Sequence, residues 1–342
     1  FTLEAAAAVN GLKLPAALAR LDAMAEQSLI VRREDASQTS PRFTMLETIH
    51  AFAQEKVTLH EEDAQLRHEH GEHLLDVAQR AQKELFGPHA LPWLILLDAE
   101  IDNVRAAMAW WLESGQPLSA LEFLAATDEY WSARRYRAEV RHWAESALLA
   151  APNAPPLLRS AALHIAVFAT RSLGDYAGAL AHAEAGLAAA HESGDLVALG
   201  RAYYQLGNAW HHLDSQKAVS AATTAVAAFR QAGHHMWLAG VLCDLGDKLH
   251  SVGEVQRAAE MIDEGLALHR AAARHRRRNR HRRRAAPAWR QETLVHLLHD
   301  DPAICAHEHA IAIAVLARSD VVALSLLGGA DDVTARQAVQ CN

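Results

Sequence analysis

Apolar side chains at Leu14, Leu18, Leu21 and Met24 recur every three to four residues, the spacing that lines one face of an α-helix. This pattern predicts a helix over Pro15 to Glu26, preceded by a shorter one over Thr2 to Val9. The period then shortens. Ser28 to Arg32 and Arg42 to Met45 are brief β-prone runs on either side of the polar stretch Arg33 to Pro41, which predicts a hairpin with a long loop. Helix, helix, hairpin and a further helix from Leu46 are the elements of a winged-helix unit, assigned to residues 1–59.

Helical periodicity continues to about residue 150, broken at Gly87-Pro88, Gly115-Gln116-Pro117 and Ala151-Pro152. Trp93, Trp110, Trp111, Trp131 and Trp143 are the expected core anchors of this helical linker domain, residues 60–156. Beyond it the chain repeats itself. Leu206-Gly207 recurs 39 positions later as Leu245-Gly246, and the turn glycine Gly194 recurs at the same interval as Gly233. A period of this length predicts paired helices stacked into a solenoid with a concave binding face, here over residues 157–271, with Leu206 buried at a hairpin seam. The pattern stops at residues 272–298, an irregular basic segment, and a degenerate copy resumes over 299–342, where Leu327-Gly328 stands in the signature position.

Alanine is abundant and aromatics make up 6% of the 342 residues, a composition that favours close-packed helices over sheet. The expected fold is mainly α, a tetratricopeptide-like α-solenoid preceded by a small winged-helix unit. Apolar runs such as Leu91 to Leu97 fall far short of the ~20 residues that span a bilayer, so no membrane role and a cytoplasmic location are expected. The first residue, Phe1, lies inside a helical pattern, so the chain is expected to be part of a longer protein. Cys243, Cys305 and Cys341 are too scattered to frame a disulfide or zinc scaffold.

The net charge is −8, although eight arginines crowd Arg274 to Arg284. An acidic body repels phosphate backbones, so any DNA contact must be local. Three readings of the arginine tract stay open: a basic loop touching DNA, a solvated insertion, or the translation of a shifted reading frame. In the wing, Arg32, Arg33 and Arg42 face Glu34 and Asp35, too little excess charge for firm phosphate binding.

The segment Ala202-Tyr203-Tyr204-Gln205-Leu206-Gly207-Asn208-Ala209-Trp210 resembles the first helix of a tetratricopeptide repeat, with Ala218 and Ala258 as the small partners in the second helices. Phe1 to Ala6, Leu21 to Ile30, Arg42 to Ile49 and Leu97 to Ala107 resemble the region after the nucleotide-binding domain in bacterial signal-transduction ATPase regulators of the LuxR or predicted-ATPase type. The resemblance implies an upstream ATPase module in the same protein, a repeat arm that senses an effector, and DNA binding only through a domain not present here. The chain contains no G-x-x-x-x-G-K-[ST] loop. No cofactor and no enzymatic activity are therefore expected of it.

Register on the Leu-Gly signature predicts a groove whose outward positions are His164 and Arg171, then Arg201, Tyr204, Asn208 and His211, then Asp247 and His250. These residues suit a protein or small-molecule effector. His68-Glu69-His70-Gly71-Glu72-His73 is the densest set of metal-donor side chains, yet only His70 and His73 share a helical face and H-E-x-x-H is not formed. His307 and His309, two apart, point to different sides of a helix. The function expected is that of the sensor arm of an ATPase-type transcriptional regulator. Its alternatives are a freestanding tetratricopeptide scaffold for protein partners, and a DNA-binding protein acting through the wing and the arginine tract.

Overall fold

A computed structural model of the chain describes residues 1–33, 41–59, 63–85 and 90–283. Thr2 accepts the Ala5 amide at 3.1 Å and so caps α1 (Leu3–Val9). Helix α2 (Leu14–Glu26) carries Pro15 in its first turn, where a missing N–H costs nothing. Strands β1 (Ile30–Arg33) and β2 (Arg42–Met45) pair antiparallel, Ile30 opposite Met45 and Arg33 opposite Arg42. Leu21, Ile30 and Phe43 close a small core against Phe1, Leu3 and Met24. These are the elements, in order, that the winged-helix pattern predicts, and the tip of the predicted wing lies outside the described residues.

Six helices follow the next one, α3 (Glu47–Leu59): α4 (Asp63–Leu85), α5 (Ala90–Ala99), α6 (Ile101–Glu113), α7 (Pro117–Ala126), α8 (Asp128–Ala133) and α9 (Arg137–Ala150). Trp111, Trp131 and Trp143 are buried in their shared core, while Trp93 and Trp110 pack half-buried at its edge. Gly71, in the middle of the histidine-rich stretch, leaves room for the indole of Trp111: a Cβ there would stand 2.7 Å from Trp111 Nε1. Arg42 does not wait at the wing for a phosphate. Its guanidinium donates to Glu100 at 2.5 Å and to the Ala99 carbonyl at 3.1 Å, tying β2 to the corner between α5 and α6.

The repeats comprise α10 (Pro156–Ser172), α11 (Tyr176–Ser193), α12 (Leu196–Trp210), α13 (Ser215–Ala232), α14 (His235–Ser251) and α15 (Val255–Arg283). The chain divides into two compact units, Phe1–Ala228 and Phe229–Asn342. Gly194 ends α11 in the left-handed conformation (φ 68°), and Asp195 beside it caps α12 by accepting the Ala198 amide at 2.7 Å. Gly174, Gly233 and Gly253 end their helices the same way. The turn glycines Gly194 and Gly233 of the 39-residue period are both in place, whereas the predicted break at Gly87-Pro88 lies outside the described residues.

The repeated glycine serves close helix approach. A Cβ on Gly207 would lie 3.1 Å from the Ala218 carbonyl oxygen and 3.3 Å from the Ala222 amide nitrogen; on Gly246 it would meet Ile262 Cγ1 at 2.5 Å and the Ala258 carbonyl at 3.0 Å. Ala218 and Ala258 are thus the small residues at the two seams, as the tetratricopeptide resemblance implies. Leu245 is buried, but Leu206 is only half-buried, packing on Val167, Ala179, Ala183 and Ala209.

The fold is mainly α, built of tetratricopeptide-like helical hairpins after a small helix-and-hairpin unit. The sequence pattern places an irregular segment from residue 272; instead α15 runs on to Arg283, through alanines and arginines that are strong helix formers. The rest of that segment and the resumed repeat at 299–342 lie outside the described residues. Among the described residues no helix is long and apolar enough to cross a membrane.

Candidate functional site

Helix α10 packs against α7, α8, α9, α11 and α12 at once, which leaves it little solvent face. Where its first half meets the first half of α12, the two helices leave a cavity of about 230 Å³ lined by Leu157, Ser160, Ala161 and His164 on one side and by Asp195, Val197, Ala198 and Arg201 on the other. Four lining residues are apolar and four polar, with His164 and Arg201 forming one polar end; the volume lies below the range of roughly 300–1,000 Å³ common for small-ligand pockets.

The polar end is anchored from a helix that the repeat pattern does not include. Thr127 donates to the Phe123 carbonyl at 2.6 Å and accepts from the Trp131 indole at 2.8 Å, fixing the joint between α7 and α8. Asp128 follows at the start of α8, is only 7% exposed, and forms an ion pair with Arg201. His164 Nε2 stands 3.8 Å from the same carboxylate oxygen. Gln205, one turn beyond Arg201, donates to the His164 carbonyl at 3.3 Å and lies 3.2 Å from His164 Nε2. Helices α8, α10 and α12 are thereby joined by polar groups inside an otherwise apolar stack.

Burial, reinforced by the Arg201 cation, holds His164 well below the ordinary imidazole range, so the ring is neutral at pH 7. Burial pushes Asp128 upward, opposed by the Coulomb field and hydrogen bond of Arg201. Arg201 lines the cavity while it holds Asp128.

Of the eight groove positions, the structure brings His164 and Arg201 together at the cavity. The outward orientation is corrected for two of them: His164 is 7% and Asn208 8% exposed, because the face of a first helix turns toward the neighbouring first helix and toward α8. Tyr204, Asn208 and His211 follow Arg201 at three, seven and ten residues along one face of α12, and Arg171 lies seven residues past His164 on α10. Arg171, Tyr204 and His211 are half-buried. In the second unit, half-buried Asp247 and His250 stand on α14 at the register of Asn208 and His211. Asp128, Gln205 and the apolar lining were not identified from sequence. A carboxylate inside the apolar run Ala125-Ala126-Thr127-Asp128 was the one available signal. His70 and His73 are half-buried on α4, both lowered chiefly by burial, and among the described residues no three His, Cys, Asp or Glu side chains converge on a metal-sized site.

No family model matches the chain. It is 29% identical over 214 residues to Rv0890c of Mycobacterium tuberculosis, a protein named as an HTH-type transcriptional regulator, the match covering 60% of this chain and 24% of that one. Mb0914c of Mycobacterium bovis, named likewise, matches to the same extent. The chain thus spans about a quarter of the length of the curated relatives it matches. Among solved structures, aspartyl phosphate phosphatase F from Bacillus subtilis superposes with a TM-score of 0.44 at 14% identity, covering 76% of this chain and 62% of that one. The helical hairpins described above, rather than this distant superposition, carry the fold assignment.

Proposed function

We propose that this chain is the sensory arm of an ATPase-type transcriptional regulator, and that the groove between α10 and α12 takes up its effector. The observation that carries this reading is the cavity of about 230 Å³ whose polar end is the Asp128, Arg201 and His164 cluster. Partial similarity to mycobacterial proteins named as HTH-type transcriptional regulators supports the regulatory setting. An effector seated there touches α10 and α12 directly and α8 through Arg201. Binding would therefore stiffen three helices already joined by the Asp128–Arg201 pair and the Gln205–His164 contacts, and the arm would pass that change to the upstream nucleotide switch.

The test is a cavity-filling variant. Ala161→Trp places an indole in the space between Leu157, Val197 and Arg201, and ligand binding is read as a thermal shift of the full chain against a panel of peptides and small metabolites. Ligands that raise the melting temperature of the native chain and not of folded Ala161→Trp support the groove. Ligands whose effect is indifferent to the substitution exclude it.

A further inference from the structure

The charges that line the cavity between α10 and α12 are already matched. Arg201 is paired with the buried Asp128. Asp195, exposed at the mouth, accepts the Ala198 amide at 2.7 Å and so caps α12. His164 is neutral, held so by burial, and the Gln205 side-chain amide reaches both its Nε2 and its carbonyl. Ser160 differs from all of these. It stands one turn before His164 on the same face of α10, is only 6% exposed, and lines the cavity, yet among the described residues its hydroxyl makes no hydrogen bond.

A buried hydroxyl without a partner costs stability, and a ligand that supplies one recovers it, since the hydroxyl both donates and accepts. An ionised ligand meets a different balance. Leaving water for this space, a carboxylate has to compete with Asp128 for Arg201, and an ammonium gains from Asp195 only at the solvent-screened mouth; neither recovers its lost hydration. Size sets a further bound. A cavity of about 150 Å³ admits benzene, so one of about 230 Å³ admits a ring of that size with a small substituent, resting on Leu157, Ala161, Val197 and Ala198.

We infer that the groove takes an uncharged small molecule, an apolar body about the size of one substituted ring with a single hydrogen-bonding group, and that the Ser160 hydroxyl receives that group. This inference rests on the groove reading. Ser160 also borders a water-sized space of about 10 Å³ between α10, α11 and α12, shared with Leu163, Val167 and Ala202. Only a hydroxyl turned to the larger space meets a ligand, and substitution of Ser160 separates the two orientations.

The probes are benzamide, benzoate, benzylamine and toluene, rings of similar size that are respectively neutral and polar, anionic, cationic and apolar at pH 7. They are titrated into the full chain and followed by its amide chemical shifts. Benzamide is expected to bind at least tenfold more tightly than benzoate or benzylamine. Ser160→Ala is expected to weaken benzamide about threefold to tenfold, the worth of one neutral hydrogen bond, while toluene, which has no polar group, binds as before and the melting temperature is unchanged or slightly raised. Benzoate or benzylamine binding as tightly as benzamide overturns the inference, and so does a benzamide that fails to bind. A Ser160→Ala chain that binds benzamide like the native one also overturns it, and turns the hydroxyl to the smaller space. If ligands of the wider panel are lost in Ala161→Trp while benzamide does not bind or benzoate binds equally, the groove stands and the uncharged-ligand inference falls.

Discussion

Helices α12 and α14 occupy the same register 39 residues apart, yet they spend their polar side chains differently. In α12, Arg201 and Gln205 reach out of their own helix, to Asp128 on α8 and His164 on α10. In α14 the buried Lys248 pairs with Asp244 one turn back on its own helix. The glycines at the seams do identical work in both: Gly207 admits the backbone of α13 and Gly246 that of α15. What the repeat preserves is therefore the seam, a steric requirement. The groove chemistry belongs to one hairpin and to the helices that precede it.

Four tests sharpen this contrast. The largest effect is expected from Asp128→Ala, which removes the buried carboxylate paired with Arg201; loss of one partner of a buried pair costs about 3 kcal/mol or more, measurable by urea unfolding of the full chain. A loss below about 1 kcal/mol would mean that the pair is well solvated and the polar anchor unimportant. Next come the seam leucines. Leu245→Ala, at 2% exposure, should cost about 2–5 kcal/mol, and the half-buried Leu206→Ala clearly less; equal losses would contradict the difference in burial. Third, Gly207→Ala places a methyl group against the backbone of α13. Overpacking costs about 1–3 kcal/mol and outweighs the gain of up to about 1 kcal/mol in helix propensity, so a net stabilisation would refute the close approach.

The smallest effect is the pH dependence. His164, His70 and His73 are all held below the ordinary value of 6.5, chiefly by burial. As pH falls through 6.5 the unfolded chain takes up protons that these rings in the folded chain refuse. Their stabilisation is thus complete above pH 6.5 and is lost below it, with a slope of up to about 1.4 kcal/mol per pH unit for each fully refused proton. Asp128, raised by burial, acts with the opposite sign, at pH values above its ordinary 3.8. His164→Asn should flatten the melting-temperature profile between pH 7.5 and 5.5, and an unaltered slope would show that the ring takes up its proton as readily in the fold as in the unfolded chain.

Much of the architecture was legible because it is periodic. Turn glycines and the Leu-Gly seams follow from spacing; the partners Ala218 and Ala258 follow from the resemblance to a tetratricopeptide repeat, and the buried anchors Trp111, Trp131 and Trp143 from residue type. The groove was legible only as a face. Register located His164 and Arg201, but it turned His164 and Asn208 outward, since one-dimensional periodicity does not reveal that α8 and the neighbouring first helix cover that face. Asp128 lies 73 residues from Arg201, outside the repeat, and no local pattern links them. Arg42 shows the same limit: read as a wing charge, it is spent on Glu100, 58 residues away.

The central claim is that recognition belongs to the groove of the first unit. Amide hydrogen exchange of the full chain, with and without the tightest ligand from the thermal-shift panel, tests it most directly. The account predicts slowed exchange in peptides from 157–171 and 196–211 and in α8, with α14 and α15 unchanged. Protection confined to α14 and α15, or to the hairpin of β1 and β2, would contradict it.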